Sequence, residues 1–341
     1  MAMIAAAVAF IVCAIAGIAP SHAQAVADFY RGRTLDLYIG LSAGGGYDVY
    51  GRTVARFMSE HIPGKPRIVP KNMTGAGSRT AANFMYTVAP KDGTALASVE
   101  QSIALQQALG DATVNFDARR FNWIGNPIAD NNVLATFRPS GITTLEDAKK
   151  RDVAIGATGI NTSSQYAQAL NMVAGTRFKI IIGYPGGAEI NLAMENGEVA
   201  GRGSSAWSSW KVTRPQWVRD GRLVPLVQIG LAKAADLPHV PLLIDVATTE
   251  EDRAALRLLS APPTIGRPIF TTPDVPAERV KALRDAFDAT MKDPEFITEV
   301  TKSQLEVAPK TGAAIEKAMS DALSADEKVL ARARAIADIT N

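Results

Sequence analysis

Cysteine is all but missing from this chain: Cys13 is the only one in 341 residues, and histidine occurs three times. Disulfide frameworks need paired cysteines, and zinc sites need clusters of Cys and His, so both are excluded. An excess of charge is missing as well. Lys and Arg total 36 against 34 Asp and Glu, a formal net charge of +2. That balance gives nucleic acid or an acidic membrane surface no general attraction. Enzyme signatures are also lacking. No G-x-S-x-G nucleophile elbow occurs. A Ser-His-Asp triad in the mature chain would need His61, at the end of a predicted helix, or His239, between Pro238 and Val240. Both read better as surface or loop residues. No metal and no cofactor is expected.

Long apolar runs are absent but for one, at the N-terminus. Met3 to Ala19 carries no charge, Pro20 breaks it, and Ser21-His22-Ala23 puts small residues at the −3 and −1 positions of a cleavage site. This is a secretory signal pattern over residues 1–23, with cleavage after Ala25 as the close alternative. The run falls short of the ~20 apolar residues of a membrane span. Cleavage removes Cys13 and His22 but no charged residue. The expected mature protein enters an oxidising compartment and has no thiol.

What is present is a chain that is 47% hydrophobic. At ~100–200 residues per domain, it is long enough for two. Leu35 to Leu41 reads as a strand, and Tyr47 to His61 as a helix with Tyr50, Val54, Phe57, Met58 and Ile62 on one stripe. A strand beginning at Ile68, a helix from Ser78 to Val88 (stripe Ala81, Phe84, Met85, Val88) and a strand from Thr94 to Val99 follow. This alternation predicts a parallel sheet covered by helices. The pattern then restarts. Strands are predicted at Asn131–Phe137, Val153–Gly156, Phe178–Ile182 and Val224–Ile229. Helices lie between them, one opened by a capping box at Thr144 to Asp147. Helices are expected at Ala277–Met291, around Phe296, and over Thr311–Ala335. The stretches near Gly125 and Gly230 read as crossings, giving one domain of 26–125 plus 231–341 and another of 126–230.

Glycine-rich turns between strands and helices expose backbone N–H groups at helix N-termini, where partial positive charge collects. Ser42 to Asp48 is such a turn. It fails as a dinucleotide loop, because Val49 stands where the third small residue belongs, and no Gly-Lys-Ser/Thr follows. A carboxylate fits the same physics. Asp48 itself reads better as a first-turn helix residue favoured by the dipole. Three further loops follow predicted strands: Asn72 to Gly77, Ala157 to Ser164, and Tyr184 to Gly187. Ligands of α/β sheets bind beyond the carboxyl ends of strands, so a cleft between the domains is the natural site. Asp48, Glu100 and Glu189 are carboxylates able to approach it. Trp207 either lines a pocket or packs between domains, while Trp210 reads as core. With so even a charge, anion selectivity is expected from N–H groups and helix ends in the cleft.

These segments together resemble the Bug family, the periplasmic solute receptors of tripartite tricarboxylate transporters. The resemblance rests on G-G-x-x-D-x-x-x-R at Gly45 to Arg52 and N-x-x-G-A-G at Asn72 to Gly77. It rests also on Ala89-Pro90-Lys91-Asp92-Gly93-Thr94-Ala95-Leu96, on Tyr184-Pro185-Gly186-Gly187, and on Pro276 to Pro294. It implies an α/β, two-domain Venus-flytrap fold of the type II periplasmic binding class, with the ligand cleft between domains. It further implies a monomeric receptor that passes a di- or tricarboxylate, or a related acid, to membrane permease subunits. One ligand carboxylate is held in that family by the first Gly-rich loop and a second-domain loop. By position these are Ser42, Ala43, Gly44, Gly45, Gly46, Tyr47 and Asp48, and Thr158, Gly159, Asn161, Thr162 and Ser163. Thr74, Gly75, Ala76, Tyr184 and Gly186 complete the loops, and Ser204 and Ser205 with Trp207 are expected to add a polar-aromatic wall. Asn161 stands where the family often has a second Gly, so selectivity is expected in this region. The alternatives are a secreted α/β hydrolase and a receptor that signals to a membrane partner.

Overall fold

Short apolar runs bounded by turn residues form the strands. In chain order these are β1 (Thr34–Ile39), β2 (Arg67–Asn72), β3 (Ala95–Ser98), β4 (Asn122–Asn126), β5 (Asn132–Phe137), β6 (Val153–Gly156), β7 (Phe178–Ile181), β8 (Gly201–Ala206), β9 (Leu223–Ile229), β10 (Ile269–Thr271) and β11 (Lys310–Thr311). The computed structural model describes residues 22–338, so residues 1–21 of the expected leader lie outside it. The described strands make two sheets, ordered β11-β4-β10-β3-β1-β2 and β7-β6-β8-β5-β9. Each sheet is the centre of one lobe.

The strand–helix alternation predicts parallel pairing, and β1, β2 and β3 pair so, but each sheet also takes in antiparallel strands that the alternation does not foresee. β1 runs parallel to β2 and β3, and β6 parallel to β7 and β8. β10 is antiparallel to β3 and β4, and β5 antiparallel to β8 and β9. The reason is connectivity. β5 and β10 enter their sheets from the other lobe, so no helical crossover within the lobe sets their direction.

Each sheet is covered on both faces. Helix Gly46–His61 buries Tyr50, Val54 and Met58 against Leu35, Leu37 and Ile39 of β1. Helix Arg79–Thr87 puts Ala81 and Met85 against Ala95 and Ala97 on the opposite face. Val88, expected in that stripe, is 70% exposed because the helix stops at Thr87. In the second lobe, helix Thr162–Ala174 packs Tyr166 and Leu170 against Leu134 and Ile155. Ile190, Trp210 and Trp217 pack with Val133 and Ala135 on the other side.

The C-terminal segment is shared between lobes, whereas the sequence places all of 231–341 with the first. Helix Glu250–Leu259 contributes Leu256 and Leu259, and helix Glu327–Ala337 contributes Ala333 and Ile336, to the core around Leu134. The single helix expected over Thr311–Ala335 is two. Its first part, Gly312–Leu323, seats Ile315 and Met319 in the first lobe. Asp326 then caps the second part by accepting from the Lys328 N–H. The break lets one stretch of chain serve both cores. Among the described residues no helix is long and apolar enough to cross a membrane.

The predicted capping box is present. Thr144 Oγ1 accepts from the Asp147 N–H at 3.1 Å, and Asp147 Oδ2 accepts from the Thr143 and Thr144 N–H groups, each at 3.1 Å. The Thr143 N–H first, then the Thr144 hydroxyl, hold the Asp147 carboxyl down to about 2. A depressed carboxylate adds stability above its ordinary value of 3.8 and loses it as pH falls toward 2. Asp147→Asn should therefore be less stable than the parent at neutral pH. In urea titrations this gap should close between pH 4 and pH 2; a gap independent of pH would rule the linkage out.

Candidate functional site

A cavity of about 40 Å³ lies between the lobes. Three helices begin at its wall. Helix Gly46–His61 has Gly45 as N-cap, helix Thr162–Ala174 has Asn161, and helix Gly187–Glu195 has Gly186. Gly45 and Gly186 supply no side-chain cap. The first N–H groups of those two helices are left for another acceptor, and their dipoles favour a negative one.

The lobes meet at backbone distance. A Cβ added to Gly159 would lie 2.9 Å from the Gly77 nitrogen, and one added to Gly186 would lie 2.9 Å from the Ser42 nitrogen. Glycine at these positions lets the loops of one lobe touch those of the other. Hydrogen bonds then cross the boundary. Ser42 Oγ donates to Glu189 Oε2 at 2.6 Å, and its N–H donates to the Pro185 carbonyl at 3.2 Å. Thr162 Oγ1 donates to Glu100 Oε1 at 2.7 Å. Arg79 Nη1 donates to the Ile160 carbonyl at 2.8 Å. Arg267 Nη2 donates to Ser208 Oγ at 3.0 Å and Ser209 Oγ at 2.6 Å.

Of the sequence-derived candidates, Gly45, Gly46, Tyr47, Thr158, Asn161, Thr162, Ser163 and Ser204 line the cavity. The polar side chains of the second-lobe loop are largely engaged with one another. Asn161 Oδ1 accepts from the Ser163 N–H at 2.9 Å, its Nδ2 donates to Thr158 Oγ1 at 3.0 Å, and Ser163 Oγ accepts from the Thr158 N–H at 2.9 Å. Asp48 is buried behind the first loop. It accepts from the Gly44 N–H (2.9 Å), Arg52 Nε (2.8 Å) and Asn72 Nδ2 (2.9 Å), and so shapes the loop without lining the cavity.

Other candidates stand elsewhere. Ser42 and Gly186 form the lobe contact just described. Ala43, Gly44, Thr74, Gly75 and Ala76 are exposed. Tyr184 is half-buried and packs with the core of the second lobe. Trp207 packs in that same core, and its Nε1 donates to Asp236 Oδ2 at 2.6 Å. It does not line the cavity, so the wall expected of Ser204, Ser205 and Trp207 is represented there by the two serines. Trp210 is fully buried, as expected. His61 Nε2 lies 2.8 Å from Asp293 Oδ2, joining two helix ends away from the cavity.

Three charged residues line the cavity: Glu100, one of the carboxylates expected to approach it, and Arg202 and Arg267, which the sequence reading does not single out. Glu100 follows β3, and Ser102 donates to its Oε2 from the backbone at 2.8 Å and from the hydroxyl. Burial raises the Glu100 carboxyl despite these donors. Arg267 is 2% exposed, pairs with Asp130 at 3.3 Å and lies over the Tyr50 ring at 4.3 Å. Burial pulls the Arg202 guanidinium down to about 10, so it is still charged at neutral pH. Glu100 was legible as a carboxylate just past a strand end. The arginines carried no local signal: Arg202 lies in an unpredicted strand and Arg267 in a segment without periodicity. The anion-favouring charge of the cleft therefore includes side-chain cations as well as helix ends. Burial also raises the Tyr47 phenol. It stays neutral, accepting from the Gln101 N–H at 3.1 Å.

Comparison with known proteins agrees with this architecture. The model of the tripartite tricarboxylate transporter family receptors matches residues 51–335. A protein of Cupriavidus necator described as "UPF0065 protein in gbd 5'region" is 29% identical over 299 residues, covering 85% of this chain and 84% of that one. Among solved structures, an R. palustris protein with adipate is 19% identical with a TM-score of 0.68, over 88% of this chain and 97% of that chain. MatC from Rhodopseudomonas palustris with bound malate is 16% identical with a TM-score of 0.68, over 87% and 99%. At such identities these structures show a shared fold. The family match spans both lobes and most of the loops at the cleft, and by it the chain belongs to the tripartite tricarboxylate transporter family receptors, the Bug family.

Proposed function

We propose that this chain captures a small organic carboxylate in the periplasm by closing its lobes, and presents it to the permease subunits of a tripartite transporter. The observation that carries the reading is the convergence of uncapped helix N-termini from both lobes on one enclosed cleft. Such an arrangement binds an anion through fixed backbone dipoles. Adipate and malate in two proteins of the same fold support an organic acid as the ligand. A cavity of about 40 Å³ is small for a dicarboxylate, so we take ligand entry to part the lobes and capture to close them, a hinge motion. The expected leader over 1–23 and the family's periplasmic members support secretion. The protein acts as a monomeric binding protein, not as an enzyme.

A thermal-shift and calorimetric panel of mono-, di- and tricarboxylates tests the ligand class. A ligand at about 100 times its Kd raises stability by about 2.7 kcal/mol. Binding of a neutral sugar or an amine, with no response to any acid, would sink the reading. Gly45→Val should remain folded, since φ is −82° and an added Cβ meets nothing closer than 3.6 Å. It should lose binding, because its side chain covers the helix N-terminus. Wild-type affinity in that variant would place the site elsewhere. Gly159→Val probes closure. Its Cβ would collide with the Gly77 backbone, so the variant should stay open, with a larger radius of gyration in saturating ligand and a Kd weakened by roughly tenfold or more.

A further inference from the structure

We propose that Arg202 is a direct ionic anchor for the ligand, gripping its carboxylate together with the N-terminus of helix Gly46–His61. This rests on the carboxylate-receptor reading and adds the residue that supplies the charge. Arg202 lines the cavity from β8. Among the described residues its guanidinium makes no hydrogen bond and no ion pair, and its Nε is fully buried without an acceptor. Its neighbours hold it in place without satisfying it. The Trp210 ring lies 5.6 Å away, and Glu189, a carboxylate whose charge acts on it, already accepts from Ser42. Arg202 is half-buried and its Nε fully so, and a guanidinium withdrawn from water with unused donors is costly unless an anion meets it.

Arg267, the other cleft arginine, is already engaged with Asp130, Ser208 and Ser209. Its bonds hold the lobes together. Arg267 Nε is likewise buried without an acceptor, but among the described residues Arg202 is the cleft arginine with no partner on any of its nitrogens, and its fork matches a carboxylate with two parallel bonds. Its position also fits. A Cβ on Gly187 would overlap the Arg202 guanidinium, and a Cβ on Gly45 would lie 3.8 Å from the Gly187 nitrogen. The guanidinium thus packs on the first turn of one helix, beside the uncapped start of another. The proposed carboxylate lies between the N–H groups of Gly45 and Gly46 and the Arg202 guanidinium.

The test is calorimetric titration of the purified protein with malate, adipate and benzoate and with their amides, malamide, adipamide and benzamide. Arg202→Met should weaken binding of whichever acid the parent prefers by roughly 30-fold or more, and should leave the corresponding amide little changed. Arg202→Lys should restore part of the loss, since charge returns without the planar fork. Gly187→Ala keeps the charge but pushes the guanidinium aside, and should weaken the acid alone. If the parent binds an acid and both Arg202→Met and Gly187→Ala bind it equally well, the anchor is wrong while the receptor reading stands. If Arg202→Met fails to fold, unchanged affinity in Gly187→Ala is enough to overturn the anchor. A parent that binds neither these acids nor any other of the carboxylate panel overturns the carboxylate reading and the anchor with it.

Discussion

The close approach of the two lobes at Gly77, Gly159 and Gly186 is the constraint on which the cleft depends. With no side chains between them, loops from both lobes come to backbone distance and shut off a small volume. Inside it water is scarce, so dipoles and charges act with less screening than at a surface. The starts of helices Gly46–His61, Thr162–Ala174 and Gly187–Glu195 then face one point. Were the glycines larger, the same elements would stand apart and each helix end would be capped by water.

Charge in such a volume must be managed residue by residue. Glu100 is kept buried by donors from Ser102 and by Thr162 across the boundary. Arg267 is enclosed by an aromatic face, a carboxylate and two hydroxyls. The Thr158–Asn161–Ser163 network closes on itself and rigidifies the second-lobe loop rather than offering all its groups outward. Asp48 does the same for the first loop through Gly44, Arg52 and Asn72. Rigid loops lose little freedom when a ligand arrives, which is how fixed backbone dipoles become effective binding groups.

Much of the local structure was legible. The helix starting at Gly46, the capping box at Thr144 and the loop before Thr162 follow from short-range rules of spacing and side-chain reach. The directions of β5 and β10 were not, because they depend on where the chain has come from. Nor was the division of Thr311–Ala335 into two helices serving two cores, since each half is apolar on one face and sequence periodicity does not say against what. Trp207 shows the same gap. An aromatic residue beside serines fits a pocket or a core equally well, and Asp236, 29 positions away, decided for the core.

By itself the sequence determined the leader-like N-terminus, the alternation of strands and helices, the Gly-rich turns at strand ends and the family they resemble. These follow from backbone preferences and side chains a few residues apart. Only the tertiary structure decided which charges face the cleft. Glu100 meets Thr162 across 62 positions and Arg267 meets Ser209 across 58. Such pairings exist only once two separately built cores are brought together. A near-zero net charge conceals them, because it sums residues that water screens with the few that it does not.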